Sequence, residues 1–288
     1  MKKIGFIGLG VMGFNIAANI QEKSKLIIFN RTQTKSINFK KKYTDNVYIA
    51  DSYLEIARKC NFIITCVGND SDLNKVLFSK NGIFNNLEGK SYIIDHSTVS
   101  YTFSRMAAKK FRKKNCFFFD APVSGGEIGA KEGKLSIMVG GDAKEFKKIK
   151  NILNIYAKKI TYMGKSGLGQ VTKMVNQICI AGLIQGLSEG LRFGKKNGLD
   201  FKSLYSAISS GAAQSWQMDN RAKTMWNNKF NFGFMNKHML KDLQIVKSHS
   251  QKQKIDIPVT LVVMKFYKEL IEKGFEELDT SSLIKLLK

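Results

Sequence analysis

GFIGLGVMG, residues 5–13, opens a strand, a turn and a helix at the very start of the chain, and it decides the fold. Ile4, Phe6 and Ile7 form a short apolar strand, Gly8, Leu9 and Gly10 the turn, and Gly13 falls inside a helix that continues through Ile16, Ala17, Ala18 and Ile20. Each glycine meets a different steric demand. Gly8 permits the tight turn, Gly10 lets the backbone approach a pyrophosphate, and Gly13 lets the helix lie close to the strand. The helix N-terminus then presents N–H groups and a partial positive charge to phosphate. A glycine fingerprint alone is weak; one that follows an apolar strand and opens a helix predicts a dinucleotide-binding fold.

The end of the second strand bears on which dinucleotide. An NAD site places Asp or Glu about 20 residues beyond the glycine turn, where its carboxylate accepts from the ribose 2′-hydroxyl. Here the strand KLIIFN ends at Asn30 and is followed by Arg31 and Thr32, with no acid. A guanidinium therefore stands where a 2′-phosphate needs a partner, which favours NADP(H), with NAD(H) as the alternative. The competing explanation is that Arg31 is one more solvated cation in a basic chain.

At 288 residues the chain is expected to form two domains, since single cores stop growing near this size. The strand-like runs 62–67, 92–95, 117–121, 135–139 and 160–163 alternate with helical segments, which predicts a parallel sheet with crossover helices. Beyond Gly164 only helical periodicity remains, broken at Gly198, Gly211, Pro258 and Gly274. The expectation is an α/β dinucleotide-binding domain over 1–164 and an all-α substrate and oligomerisation domain over 165–288.

Composition excludes several classes. No secretory signal or apolar run of roughly 20 residues is seen, so a soluble cytoplasmic protein without membrane partners is expected. Cys60, Cys66, Cys116 and Cys179 are too far apart for a CxxC motif and are expected as buried reduced thiols. His96, His238 and His249 are equally scattered, so no metal is expected. The net charge of +24 is spread over many lysine-bearing segments without interleaved stacking aromatics, which points to solvated helix faces and to no specific nucleic acid partner. Such a field still draws an anionic cofactor and a carboxylate substrate towards the protein.

Three segments look chemical. GQVTKMVNQ (169–177) places Lys173 three residues before Asn176 and four before Gln177, so one helical face presents an ammonium beside two amides. DAPVSGG (120–126) ends a strand and turns through Ser124, Gly125 and Gly126, offering a hydroxyl and backbone N–H groups to a small carboxylate. An ordinary glycine turn fits those residues equally well. VGND (67–70) and IIDHST (93–98), with Ser97 and Thr98, fall at carboxyl ends of the sheet, where nucleotide sites form. Further on, Gly182, Gly186, Gly190 and Gly194 recur at four-residue spacing along one helical ridge. Interior glycines cost about 1 kcal/mol each relative to alanine, so a close helix or subunit contact is expected along that ridge.

With these segments in view, the chain resembles the β-hydroxyacid dehydrogenase family, which includes 3-hydroxyisobutyrate dehydrogenase and the tartronate semialdehyde, glyoxylate and succinic semialdehyde reductases. The resemblance spans nearly the whole chain. It rests on GFIGLGVMG with NRT (30–32), DAPVSGGEIGAKEGKLSIMVGG (120–141), GQVTKMVNQ and FMNKHMLKDL (234–243). It implies a Rossmann domain followed by a helical domain that forms homodimers or homotetramers, and a small carboxylate-bearing substrate. Cofactor contacts are implied for Gly8, Leu9, Gly10, Val11, Met12, Asn30, Arg31, Thr32, Val67, Gly68, Asn69, Asp72 and Thr98, with Lys241 near both nicotinamide and substrate. Substrate contacts are implied for Ser124, Gly125, Gly126, Lys173, Asn176 and Gln177, with Lys173 catalytic and Asn176 assisting. Many members carry a second Asn where this chain has Gln177, a departure shared with the reductase-like members that leaves the substrate open. Lys173 suits the single proton that hydride transfer leaves to the protein, whereas His96 is a weaker competitor as proton carrier. Trp216, Phe232 and Phe234 are read either as pocket lining or as helical core. A nucleic-acid-associated, non-catalytic homologue is the alternative of a different class.

Overall fold

A computed structural model of the chain describes residues 3–288. It divides into two compact units, one extending to Lys173 and one spanning Met174–Lys288. In the first, strands β1 (Lys3–Ile7), β2 (Lys25–Phe29), β3 (Val47–Ile49), β4 (Phe62–Thr65), β5 (Tyr92–Asp95) and β6 (Phe117–Asp120) form a parallel array in the order β3-β2-β1-β4-β5-β6. Helices α1 (Val11–Gln21), α2 (Gln33–Lys42), α3 (Tyr53–Lys59), α4 (Asp70–Phe78) and α5 (Tyr101–Arg112) make the crossovers. This is the Rossmann-type arrangement.

The strands are buried on both faces, and the period of two sorts their side chains. Ile4, Phe6, Leu26, Ile28, Ile64, Ile94 and Phe119 pack on one side with Ile16, Ala17 and Ile20 of α1. Ile7, Ile27, Ile63, Ile93 and Phe118 pack on the other with Ala107 and Phe111 of α5. A near-continuous apolar run is what such doubly covered strands require.

The sheet is parallel-dominated as expected, and the one expectation that needs correction is the uniform burial of the cysteines. The sheet also has antiparallel pairs: β7 (Val123–Ser124) forms a hairpin with β8 (Leu135–Gly140) through α6 (Gly126–Lys131), and β6 meets β8 antiparallel at Asp120 and Gly140. Parallel pairing resumes with β9 (Ala157–Gly164), which follows α7 (Phe146–Leu153) and pairs with β8. The cysteines are not uniformly buried. Cys60 and Cys116 are, Cys66 is half-buried, and Cys179 lies exposed on the helix that follows.

That helix, α8 (Leu168–Lys196), begins in the first unit and continues into the second, which is completed by α9 (Phe201–Ser209), α10 (Trp216–Trp226), α11 (Asn236–Gln253), α12 (Pro258–Glu272) and a 3-10 segment, Thr280–Leu286. Ala181 and Ile184 of α8 pack with Met239 and Leu243 of α11 and with Val263 and Tyr267 of α12. Leu187 and Leu191 pack with Met218, Ala222 and Met225 of α10. The glycine ridge, expected to carry a close neighbour, faces open space in this chain. A Cβ on Gly182, Gly186 or Gly190 would meet nothing within 4 Å, and only Gly194 is close-packed, against Leu204 of α9.

Candidate functional site

Register brings the sequence-predicted loops of the first unit to one edge. Ile7 pairs with Phe29 and Thr65, Thr65 with Asp95, and Asp95 with Asp120, so the strand ends align and the segments after them emerge together.

The glycine turn has the geometry its sequence predicts. Gly8 adopts φ +100°, and a Cβ there would strike the Cys66 carbonyl; a Cβ on Gly13 would strike the Gly8 carbonyl and lie 3.1 Å from the Phe6 ring. Gly10 differs, with nothing within 4 Å of its would-be Cβ. It is the N-cap of α1, and no side chain caps the helix there and no acid occupies its first turn. Uncrowded backbone at an uncapped helix N-terminus fits a pyrophosphate. Leu9 departs from the implied role in one respect: its side chain is buried in the core, leaving only its backbone to face a ligand. Val11 is exposed, and Met12 packs partly on the core.

Asn30 braces the turn, its Oδ1 accepting from Leu9 N at 2.8 Å and its Nδ2 donating to the Thr32 carbonyl at 2.9 Å. Thr32 stands at the N-cap position of α2 without a side-chain cap, and Arg31 between them projects outward, its side chain 77% exposed, with its Nη1 3.1 Å from Asp72 Oδ1. The acid absent from the end of β2 thus reaches Arg31 from α4. Asn69 caps that helix, accepting from Asp72 N at 2.9 Å, and Val67 N donates to Ser97 Oγ at 2.9 Å. Gly68 is exposed at the turn, and Thr98 lies half-buried on the neighbouring loop.

Two buried carboxylates sit beneath these loops. Asp95 Oδ1 accepts from Thr65 Oγ1 at 2.7 Å and from the hydroxyl and backbone N–H of Ser97, at 2.7 and 3.2 Å. Its Oδ2 is buried without a hydrogen-bond partner, and burial pushes its carboxyl up to about 7 against the pull of those donors. Asp120 accepts from Gly167 N at 2.7 Å and Gln170 N at 3.1 Å, so it receives N–H groups at the start of α8; burial raises it to about 6. Gln170, which sequence reasoning passed over, donates to the Ser97 carbonyl at 2.8 Å and accepts from Val99 N at 3.3 Å. One turn along the helix, Lys173 is 8% exposed and donates from Nζ to the Val123 carbonyl at 2.9 Å. The general acid/base candidate therefore sits against the strand that leads into Ser124, Gly125 and Gly126. Gly125 and Gly126 are exposed at φ +126° and +63°, conformations that exclude most side chains.

His96 is taken out of contention. Its Nδ1 lies 2.6 Å from the Ala121 carbonyl and its Nε2 2.9 Å from the Tyr156 hydroxyl, and burial depresses its pKa to about 4. It is a neutral, bridging core residue.

The second unit gathers the rest. Asn176 Nδ2 donates to Gln177 Oε1 at 2.8 Å, Gln177 Nε2 donates to Asp242 Oδ2 at 2.7 Å, and Lys241 Nζ lies 2.9 Å from Asp242 Oδ1. Three predicted residues are thus joined through Asp242, which was not predicted. Its sequence signals were adjacency to Lys241 and a place in the FMNKHMLKDL segment, and a pairing across 65 residues leaves no local pattern. Trp216 and Phe232 flank the Arg221 guanidinium, at 5.3 and 5.0 Å from its carbon to the ring centroids, while Phe234 packs on the cluster of α8, α11 and α12. Among the described residues no group of His, Cys, Asp and Glu is arranged to hold a metal ion, and no helix is long and apolar enough to cross a membrane.

Residues 3–164 match the family model described as the NAD binding domain of 6-phosphogluconate dehydrogenase, and residues 167–287 match the one described as the NAD-binding domain of NADP-dependent 3-hydroxyisobutyrate dehydrogenase. The chain belongs to the β-hydroxyacid dehydrogenase family. It is accordingly an NAD(P)-dependent oxidoreductase of that family. It is 41% identical to an uncharacterized oxidoreductase of Shewanella frigidimarina, over 99% of this chain and 97% of the relative. It is 32% identical to the 2-hydroxy-3-oxopropionate reductase of Escherichia coli, over 99% and 97%. The structure of Mycobacterium tuberculosis 3-hydroxyisobutyrate dehydrogenase with L-serine superposes with a TM-score of 0.90 at 25% identity, covering 100% of this chain and 99% of that one.

Proposed function

We propose that this family member transfers hydride between NADP(H) and a small β-hydroxy acid or its semialdehyde, with Lys173 as general acid/base. The observation that carries it is the buried Lys173 ammonium seated on the Val123 carbonyl, at the mouth of the Ser124–Gly126 turn. When bound, the nicotinamide supplies or accepts the hydride. The chain's own residues manage orientation and the proton. In oxidation the Lys173 amine takes the proton of the substrate hydroxyl; in reduction the ammonium returns it to the developing alkoxide. Ser124 and the backbone N–H groups of Gly125 and Gly126 hold the carboxylate. Asn176 assists at the reacting oxygen, its amide oriented by the Gln177–Asp242 chain that also holds Lys241.

The turn at Gly10 holds the pyrophosphate, and Arg31 the 2′-phosphate. The named Escherichia coli relative favours a semialdehyde reductase of the 2-hydroxy-3-oxopropionate type as the second substrate assignment.

Lys173→Ala tests the mechanism. It should lower kcat by the roughly 10²- to 10⁴-fold typical of general acid–base catalysis, with cofactor dissociation constants unchanged within a few-fold. A panel of hydroxy acids and semialdehydes, followed by nicotinamide absorbance, names the substrate. Turnover of the best of them by Lys173→Ala at the parental rate would refute the assignment.

A further inference from the structure

The catalytic reading leaves one cavity of the second unit unused. It measures ≈380 Å³ and lies where the end of α8, the end of α10 and the Thr280–Leu286 segment converge. Arg192, Lys195 and Lys285 line it together with Met225, Trp226 and Asn228, and no carboxylate does.

Like many cations of this basic chain, these three have no ion-pair partner among the described residues. Arg31, Arg58, Arg112 and Arg221 each stand within ion-pairing distance of an acid. Arg192 has none among the described residues; its Nη2 donates to the Ile284 carbonyl at 3.2 Å, and its Nε is buried without a hydrogen-bond partner. Lys195 donates to the Trp226 carbonyl at 3.2 Å and sits 5.2 Å from that indole, while Lys285 lies over the Phe275 ring at 4.8 Å. Neither has a carboxylate partner among the described residues. A buried guanidinium nitrogen with an unmet donor carries a free-energy penalty that an anionic acceptor removes.

Charge and size narrow the ligand. A monocarboxylate would neutralise one of three cations, whereas a phosphomonoester brings close to two charges and three strong acceptors to the Arg fork. The cavity also exceeds a bare phosphate, and the Trp226 and Met225 side chains give it an apolar wall. We propose that this cavity binds a small phosphomonoester, the phosphate on Arg192, Lys195 and Lys285 and the organic part against Trp226.

Trp226 is the reporter. The chain has two tryptophans, so Trp216→Phe leaves Trp226 as the sole indole. In that background, titration with glycerol 3-phosphate should change the emission saturably in the millimolar range or below. Inorganic phosphate should bind more weakly and glycerol should have no effect. Arg192→Gln and Lys195→Gln should each raise the midpoint at least about tenfold, and Lys195→Gln should leave turnover intact. Lys195 is exposed, so the second variant keeps the test valid if the first fails to fold. A linear response to glycerol 3-phosphate, or midpoints unmoved in both variants, overturns the proposal. Equal midpoints for inorganic phosphate and glycerol 3-phosphate would overturn its organic part.

Discussion

Asp95 and Asp120 are register partners on adjacent strands, and each carboxyl is raised by burial while neighbouring donors hold it down. For Asp95 the charge on Asp120 adds to the rise. An acid whose folded pKa is raised binds more protons folded than unfolded, so its contribution to stability is complete below the unfolded value and is lost as pH climbs through the folded one. For Asp95 that window runs from its ordinary value of 3.8 to about 7. His96, depressed to about 4, works in the opposite direction, losing stability as pH falls from its ordinary 6.5. Comparing Asp95→Asn with the parent isolates the carboxyl. The variant's stability relative to the parent should rise with pH across that window by on the order of 2–4 kcal/mol, read from urea midpoints at several pH values. A difference flat with pH would mean that Asp95 ionises normally in the fold. These roles were illegible in the sequence. IIDHST showed an acid, a histidine and hydroxyls at a strand end, but burial is what keeps His96 neutral, and its ring partners Ala121 and Tyr156 lie 25 and 60 residues away.

Elements with a strong local pattern were legible, and short ones were not. The glycine turn and the apolar strands appear where their periodicity places them, because burial on both faces forces apolar residues at consecutive positions. The three residues of β3 and the two of β7 are too few to carry a period. The break between α10 and α11 went unmarked although Asn228 and Gly233 supply positive φ there, at 54° and 77°. The β2–α2 turn was legible in Arg31 and not in its partner, since Asp72 comes from another helix. Their pair is exposed on the arginine side and is worth no more than about 1 kcal/mol, less than a charge-assisted bond to a 2′-phosphate at about 1.5–3. NADPH should therefore bind roughly ten- to a hundredfold more tightly than NADH. Arg31→Gln should bring the two dissociation constants together, and Asp72→Asn should widen the gap by removing the competitor for the guanidinium. Calorimetric titration decides it, and equal affinities in the parent would rule out Arg31 as the selector.

At the scale of the whole molecule, the open ridge of α8 is the unexplained feature. Gly182, Gly186 and Gly190 gain nothing from facing solvent, and each costs about 1 kcal/mol in a helix interior. The same helix exposes Val175, Leu183 and Phe193, the last at 73%. Small residues interleaved with exposed apolar ones along a helix suit close approach by another helix, and among the described residues none covers the three open glycines. A second copy is the occupant that reconciles the two costs, which predicts a homodimer or homotetramer at micromolar concentration. Gly186→Leu separates this from an intrinsic role, because the added side chain enters space that the chain leaves empty. In a monomer the substitution should be neutral or stabilising, since leucine is the better helix former. Across a close interface it must clash and dissociate the assembly while leaving each chain folded. Sedimentation equilibrium of parent and variant, with circular dichroism as the check on folding, distinguishes the two. A monomeric parent, or a variant that assembles as the parent does, would leave the ridge without a subunit contact.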